Sequence, residues 1–142
     1  MSAPRGFHHL AIQVRDLAAS ERFYRETLSL PVLRRWPARD GDGERSVWLD
    51  VGEGAFLALE RVGVGATAAE DVARGERPGL HLVALRIERA ARADWERRLV
   101  AAGVAVEARS AFTLYVRDPE GNRVGLSHWP DEAPYEVPDE AA

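Results

Sequence analysis

The chain has 142 residues, 46% of them hydrophobic, enough for one compact core and too few for two ordinary domains. Its 23 acidic residues outnumber 19 basic ones, all arginine and scattered among the acids, which excludes a nucleic-acid-binding stripe. Cysteine is absent, so there is no disulfide framework, thiolate metal site or cysteine nucleophile. The N-terminus MSAPRGFHHL carries no signal-peptide pattern and no apolar run of roughly 18 residues occurs, so a cytoplasmic protein with no membrane partner is expected.

In chain order, FHHLAIQV (Phe7 to Val14) is apolar and β-branched enough for a strand. Asp16 then stands where a helix N-cap belongs. The residues after it, LAASERFYRETL, place Leu17, Ser20, Tyr24 and Leu28 on one side with Phe23 beside them, a helix of about three turns. Three strands follow in PVLRRW, SVWLDVG (Ser46 to Gly52) and AFLALER (Ala55 to Arg61), separated by ARDGDGE and by Gly52-Glu53-Gly54. Residues 6–61 therefore read as a βαβββ module. Residues 62–78 show no sustained period and read as a linker.

The stretch GLHLVALRIERAARADWERRLVAAGVAV (Gly79 to Val106) repeats the opening: a strand, a helix with Trp95 and Leu99 inward, Gly103 as its C-cap, and a strand in GVAV. Shifting the sequence so that Gly6 falls on Gly79 also brings His8 onto His81, Ala11 onto Ala84, Ile12 onto Leu85 and Val14 onto Ile87, an ungapped internal repeat. AFTLYVRD, the turn Pro119-Glu120-Gly121-Asn122 and RVGLSHW complete a hairpin. Residues 79–129 are thus a second βαβββ module, and the acidic, proline-rich residues 130–142 read as a flexible tail.

Two such modules, the opening HLAIQVRD (His9 to Asp16) followed by SERFYRETL, and the closing DPEGNRVGL (Asp118 to Leu126) together resemble the vicinal oxygen chelate superfamily. That is the group of glyoxalase I, extradiol dioxygenases, fosfomycin-resistance enzymes and bleomycin-resistance proteins. The resemblance spans roughly Phe7 to Trp129 and implies an α+β fold, with residues 1–142 one glyoxalase-like domain in which each module curls into half of a barrel-like cavity. It also implies a homodimer. Activity is far less specified than fold, because one scaffold hosts many chemistries.

Members of that superfamily that use a metal carry a His on the first strand of module one, a Glu or His on that module's last strand, a His on the first strand of module two and a Glu in the final strand. Such N and O donors suit Mn, Fe, Ni, Zn or Mg. His9 stands at the first position, but the others fall on Ala58, Leu82 and Gly125. The resemblance therefore implies a degenerate centre with no metal or other cofactor, leaving His9 in the cavity wall as a candidate general base. The alternative is a divalent metal, Zn, Ni, Mn or Fe, on His9, Glu60 and His81, with a β-bulge before Val83 turning His81 inward.

Strand alternation assigns the faces. His9, Ala11 and Gln13 look into the cavity, whereas Leu10, Ile12 and Val14 pack on the helix; His8 falls on the helix side or the strand's edge, and His81 outward with it. Trp48, Asp50, Phe56, Ala58, Glu60, Thr113, Tyr115, Arg117, Gly125, Ser127 and Trp129 share the inward face, and His128 faces away. Gln13, Trp48, Phe56, Arg86, Thr113 and Tyr115 are the candidate ligand contacts of an aromatic, mostly apolar pocket. The implied function is binding or processing of a small hydrophobic or aromatic metabolite. The alternative is a divalent-metal-dependent enzyme of the glyoxalase, epimerase or extradiol-dioxygenase type.

Overall fold

Asp16 ends one element and starts the next. Its Oδ1 accepts the Ala19 N–H at 3.0 Å, so the chain leaves β1 (His9–Val14) and enters α1 (Leu17–Glu21) through a side-chain cap. The computed structural model describes residues 2–39, 41–63 and 78–129. In it α1 widens into a π-helical stretch, Arg22–Thr27, in which the Leu28 N–H reaches back to the Phe23 carbonyl at 3.0 Å. The wider turn buries two successive rings, Phe23 and Tyr24, set edge to face at 4.9 Å.

Three strands follow, β2 (Val32–Pro37), β3 (Glu44–Gly52) and β4 (Ala55–Arg61). The sheet order is β1-β4-β3-β2, with β1 parallel to β4 and the other pairs antiparallel. The tight β3–β4 turn takes positive φ at Gly52, Glu53 and Gly54, and the Asp50 carboxylate accepts the Gly52 N–H at 2.7 Å. The core lies between the helix and one sheet face: Val14, Tyr24, Val47, Leu49 and Leu59 are all fully buried.

The second module repeats this order. It comprises β5 (Val83–Arg86), a 3₁₀ turn (Arg89–Ala91), α2 (Arg92–Ala101), β6 (Ala108–Arg109), β7 (Thr113–Arg117) and β8 (Arg123–Ser127). Its sheet order is β5-β8-β7-β6, again with a single parallel pair, β5 on β8. Leu99, Leu114, Val116, Val124 and Leu126 form its core. Asp118 holds the β7–β8 turn by accepting the Glu120 N–H at 3.0 Å, the Asn122 N–H at 2.8 Å and the Asn122 side-chain amide at 2.9 Å. Each module is thus a four-stranded mixed sheet with few helices.

Three expectations need correction here. The strand expected in GVAV forms later, as the two-residue β6, because Gly103 and Val104 are committed to ending α2: their N–H groups bond the carbonyls of Val100 and Leu99 at 3.0 and 2.9 Å. Trp95 is half-buried, with the Arg98 guanidinium 4.9 Å from its ring, and Arg92 takes the core position beside Leu99. The last strand stops at Ser127, so Trp129 lies beyond it, exposed and edge-on to Phe112 at 4.9 Å rather than in a cavity lining.

The described residues group into two compact units, 2–63 and 78–129, and most of the expected linker and all of the tail lie outside the described residues. No helix among the described residues is long and apolar enough to cross a membrane.

Candidate ligand-binding site

In the first module, the register fixes which side chains share the sheet face turned away from α1. His9 pairs with Phe56, Ala11 with Ala58 and Gln13 with Glu60; Trp48 pairs with Ala58 on one side and Arg34 on the other, and Ser46 with Glu60 and Trp36. His9, Ala11 and Gln13 are exposed while Val14 is buried, as alternation requires.

Four of these side chains form a continuous aromatic row across all four strands. Trp36 meets Trp48 edge-on at 5.3 Å, Trp48 stacks on Phe56 at 4.3 Å and 21°, and Phe56 stacks on His9 at 4.8 Å and 5°. Three inter-strand spacings make the row about 14 Å long. The Arg34 guanidinium sits 3.7 Å from the Trp36 ring centroid, and Arg45, the residue bulged out between the Trp36 and Pro37 pairings, approaches the same ring at 5.7 Å.

At the other end, His8 Nδ1 and His9 Nδ1 lie 2.8 Å apart, so one ring donates to the other. With His9 as donor, its Nε2 keeps a lone pair free to take a proton. His8 does not pack on the helix side. It precedes β1, escapes the alternation, and brings its ring to 5.6 Å from Phe56 on the aromatic face. His81 behaves alike: it precedes β5 and its Nε2 lies 3.2 Å from Arg123 Nη1.

The corresponding face of the second sheet is polar. Ala84, Arg86, Thr113, Tyr115, Arg117, Arg123, Gly125 and Ser127 share it by register. Thr113 donates to the Ser127 hydroxyl at 2.9 Å, Arg123 lies over the Tyr115 ring at 4.3 Å, and Arg86 donates to the Trp129 carbonyl at 3.2 Å. His128 instead faces the helix side, 1% exposed, 3.1 Å from Arg92 Nη1.

A charged concavity of about 800 Å³ lies at the start of α1. Several of its charges pair within the lining: Arg25 and Arg35 both with Glu21, Arg25 also with Glu26, and Arg35 also with Glu44. The Arg35 hydrogen bond holds the Glu21 carboxyl below the ordinary carboxylate range against the opposing effect of burial, and raises Arg35 in turn. Such self-neutralised surface offers a ligand little.

The model of the Glyoxalase/Bleomycin resistance protein/Dioxygenase superfamily matches residues 6–126. The chain belongs to that superfamily. The crystal structure of a glyoxalase/dioxygenase from Nostoc punctiforme is 19% identical, with a TM-score of 0.73 over 92% of this chain and 97% of that one. Lactoylglutathione lyase from Agrobacterium tumefaciens is 24% identical, with a TM-score of 0.66 over 90% and 96%. The fosfomycin resistance protein FosX of Listeria monocytogenes, complexed with Mn(II) and 1S,2S-dihydroxypropylphosphonic acid, is 16% identical, with a TM-score of 0.68 over 92% and 97%. These structures share the fold. No curated protein matches the chain.

Where the superfamily's metal-using members place ligands, this chain fits poorly. Ala58 is 2% exposed, directly opposite Trp48. Gly125 is walled in: a Cβ there would meet Thr113 Cγ2 at 3.0 Å, Leu82 Cδ1 at 3.4 Å and Ala84 Cβ at 3.6 Å. The alternative set of His9, Glu60 and His81 fails at its first pair, because Glu60 pairs with Gln13, four residues along β1 from His9 and therefore about 13 Å away. Among the described residues no three His, Asp or Glu side chains gather closely enough to share an ion.

Of the expected contacts, Trp48 and Phe56 are brought together with His9, and Gln13 stands on the same face near Glu60. Arg86, Thr113 and Tyr115 belong to the polar face of the second module. Trp36, Arg34 and Arg45 were not anticipated. Alternation within LRRW puts Arg34 and Trp36 on one face, but that this is the aromatic face follows only from the β2–β3 pairing across ARDGDGE.

Proposed function

We propose that the protein binds a small planar aromatic compound against Trp48 and Phe56 on the exposed face of its first module. The observation that carries this is the unbroken row from Trp36 to His9, with exposed His9 and Gln13 at one side and α1 on the opposite face of the sheet. Stacked and edge-on rings are worth about 0.5–1.5 kcal/mol beyond their buried area, so a further ring gains most by extending such a row. The poor fit of Ala58, Leu82 and Gly125 to metal ligation supports a superfamily member with a degenerate centre, binding without metal or other cofactor. The reading includes residues 1–142 as one domain, a homodimer, and a cytoplasmic location.

Calorimetry with 2-naphthamide and its fully saturated decalin counterpart tests it. The naphthalene compound binds and the decalin binds at least tenfold more weakly; Trp48→Ala and Phe56→Ala remove the difference. Equal binding of the two, or equal affinity in both variants, refutes the reading. Elemental analysis adds an independent check, since near-stoichiometric metal that disappears in His9→Ala would refute the degenerate centre.

A second reading, an enzyme of the glyoxalase or dioxygenase kind in which His9 is general base, rests on the His8–His9 hydrogen bond. That bond fixes the His9 ring and, with His9 as its donor, leaves Nε2 for a substrate proton within reach. Loss of turnover in His9→Gln with ligand affinity unchanged would favour it over simple binding.

A further inference from the structure

We infer that the compound held on the aromatic row carries a carboxylate, bound at the Trp36 end by Arg34 and Arg45. This deepens the aromatic-ligand reading and rests on it.

The chain has more acids than bases, and in this module Arg25 and Arg35 share Glu21 while Arg35 reaches Glu44 as well. Arg34 and Arg45 have no such partner and no side-chain hydrogen bond among the described residues, and what sets them apart from Arg5, Arg22 and Arg39, which have none either, is their place at the Trp36 ring. A guanidinium laid on an indole is held in place through its face while its N–H edge stays free, the presentation suited to a bidentate carboxylate.

The neutral groups around them point the same way. The Trp36 and Trp48 indole N–H groups and the Ser46 hydroxyl are buried without a hydrogen-bond partner, and Ser46 is the register partner of Trp36. This corner therefore holds two unpaired cations and three unsatisfied donors. Unsatisfied buried donors are costly, and a carboxylate, with more acceptor sites than a neutral carbonyl and stronger charge-assisted bonds, relieves more of that cost, while a cation relieves none. Of the acids on this face, Glu60 stands across Ser46 two strands from Trp36, about 10 Å away, and Asp50, opposite Phe56, accepts the Gly52 N–H; neither pairs with Arg34 or Arg45. One fork and one further guanidinium match a single planar carboxylate, with the attached ring extending over Trp48 toward Phe56.

The full-length protein is titrated calorimetrically with 2-naphthoate, 2-naphthamide and 2-naphthylphosphonate at pH 7.5, in wild type, Arg34→Gln/Arg45→Gln and Arg34→Lys. Wild type is expected to bind the carboxylate at least tenfold tighter than the amide and tighter than the phosphonate. The double variant loses that advantage to within twofold while its amide affinity is unchanged, and Arg34→Lys keeps only part of it. Equal binding of carboxylate and amide by wild type, or a carboxylate advantage that survives the double substitution, overturns the inference and leaves the aromatic reading standing. Preference for the phosphonate overturns the choice of carboxylate. Failure of all three probes to bind refutes the aromatic reading, and this inference with it. Circular dichroism confirms that the half-exposed and exposed arginines have been replaced without loss of fold.

Discussion

Gly125→Ala measures how firmly the second module has closed the position at which metal-using relatives carry a carboxylate. Alanine is ordinarily better than glycine inside a strand by about 0.5–1 kcal/mol. Here the new Cβ meets Thr113 Cγ2 at 3.0 Å. Thr113 cannot easily turn aside, being 8% exposed and tied by its hydroxyl to Ser127 at 2.9 Å. Overpacking of this kind costs about 1–3 kcal/mol, so the net effect is a destabilisation of about 1 kcal/mol. Thr113→Ser removes the offending methyl and keeps the hydroxyl bond. In that background Gly125→Ala is expected to stabilise by about 0.5 kcal/mol, leaving a coupling energy of about 1.5 kcal/mol. Urea denaturation of the four proteins by far-UV circular dichroism gives the cycle. If Gly125→Ala shifts wild type and Thr113→Ser equally, within about 0.3 kcal/mol, the position is not closed by Thr113 and the argument against a ligand there fails.

Arg92→Met is expected to destabilise the protein by about 2–5 kcal/mol, since it leaves the buried His128 Nε2 and the Ser110 carbonyl, now bonded at 3.1 and 2.8 Å, without that donor. Arg92→Lys recovers less than half, because one ammonium cannot span both acceptors; urea midpoints decide this, and full rescue would be contrary. Asp118→Ala frees two backbone N–H groups of the β7–β8 turn and should cost about 2–4 kcal/mol, read the same way. Arg35→Met costs at most about 1 kcal/mol at pH 7, because the Glu21–Arg35 pair is partly solvated. Glu21 has a depressed folded-state pKa, so the pair's contribution is present above the unfolded value of about 4.3 and fades as pH falls through the lower folded value. The stability gap between wild type and Arg35→Met should therefore narrow as the pH is lowered below about 4.3, and an unchanged gap across that range would show that the charge is not what the substitution removed.

Elements were legible where local chemistry and burial agree. Asp16 as N-cap, the alternation of β1 and the DPEGN turn each leave a side-chain signature, and the structure places all three. Alternation failed just outside strand ends. His8 and His81 precede their strands by one and two residues, where no ladder fixes the direction of Cβ: the His8 ring, expected on the helix side or the strand's edge, comes to 5.6 Å from Phe56, and His81, expected outward, lies 3.2 Å from Arg123. GVAV misled because its Gly and first Val serve the helix cap before any strand can form. The candidate site was half legible: Trp48 and Phe56 lie in clearly alternating runs, whereas Trp36, Arg34 and Arg45 join them through a register set by the β2–β3 connection and its bulge, and long-range pairing leaves no local mark in sequence.

The aromatic row and the small side chain at Ala58 on β4 are linked through packing. Ala58 lies directly opposite Trp48, and Phe56 diagonally from it, so the indole can lean onto Phe56 at 4.3 Å only if the side chain at 58 is small. Ala58 is 2% exposed beneath this contact. A glutamate there would need both the space the indole occupies and solvent or a cation for its charge, neither of which the stacked rings provide. On this face, then, a carboxylate at position 58 and the stacking of Trp48 on Phe56 exclude each other, and Ala58 is compatible with the stacking. The second module lacks such a row, and at Gly125 the same exclusion is achieved by Thr113 and Leu82 instead. The internal repeat thus preserves topology while the two halves fill the space at Ala58 and at Gly125 with different neighbours, stacked rings in one and Thr113 with Leu82 in the other.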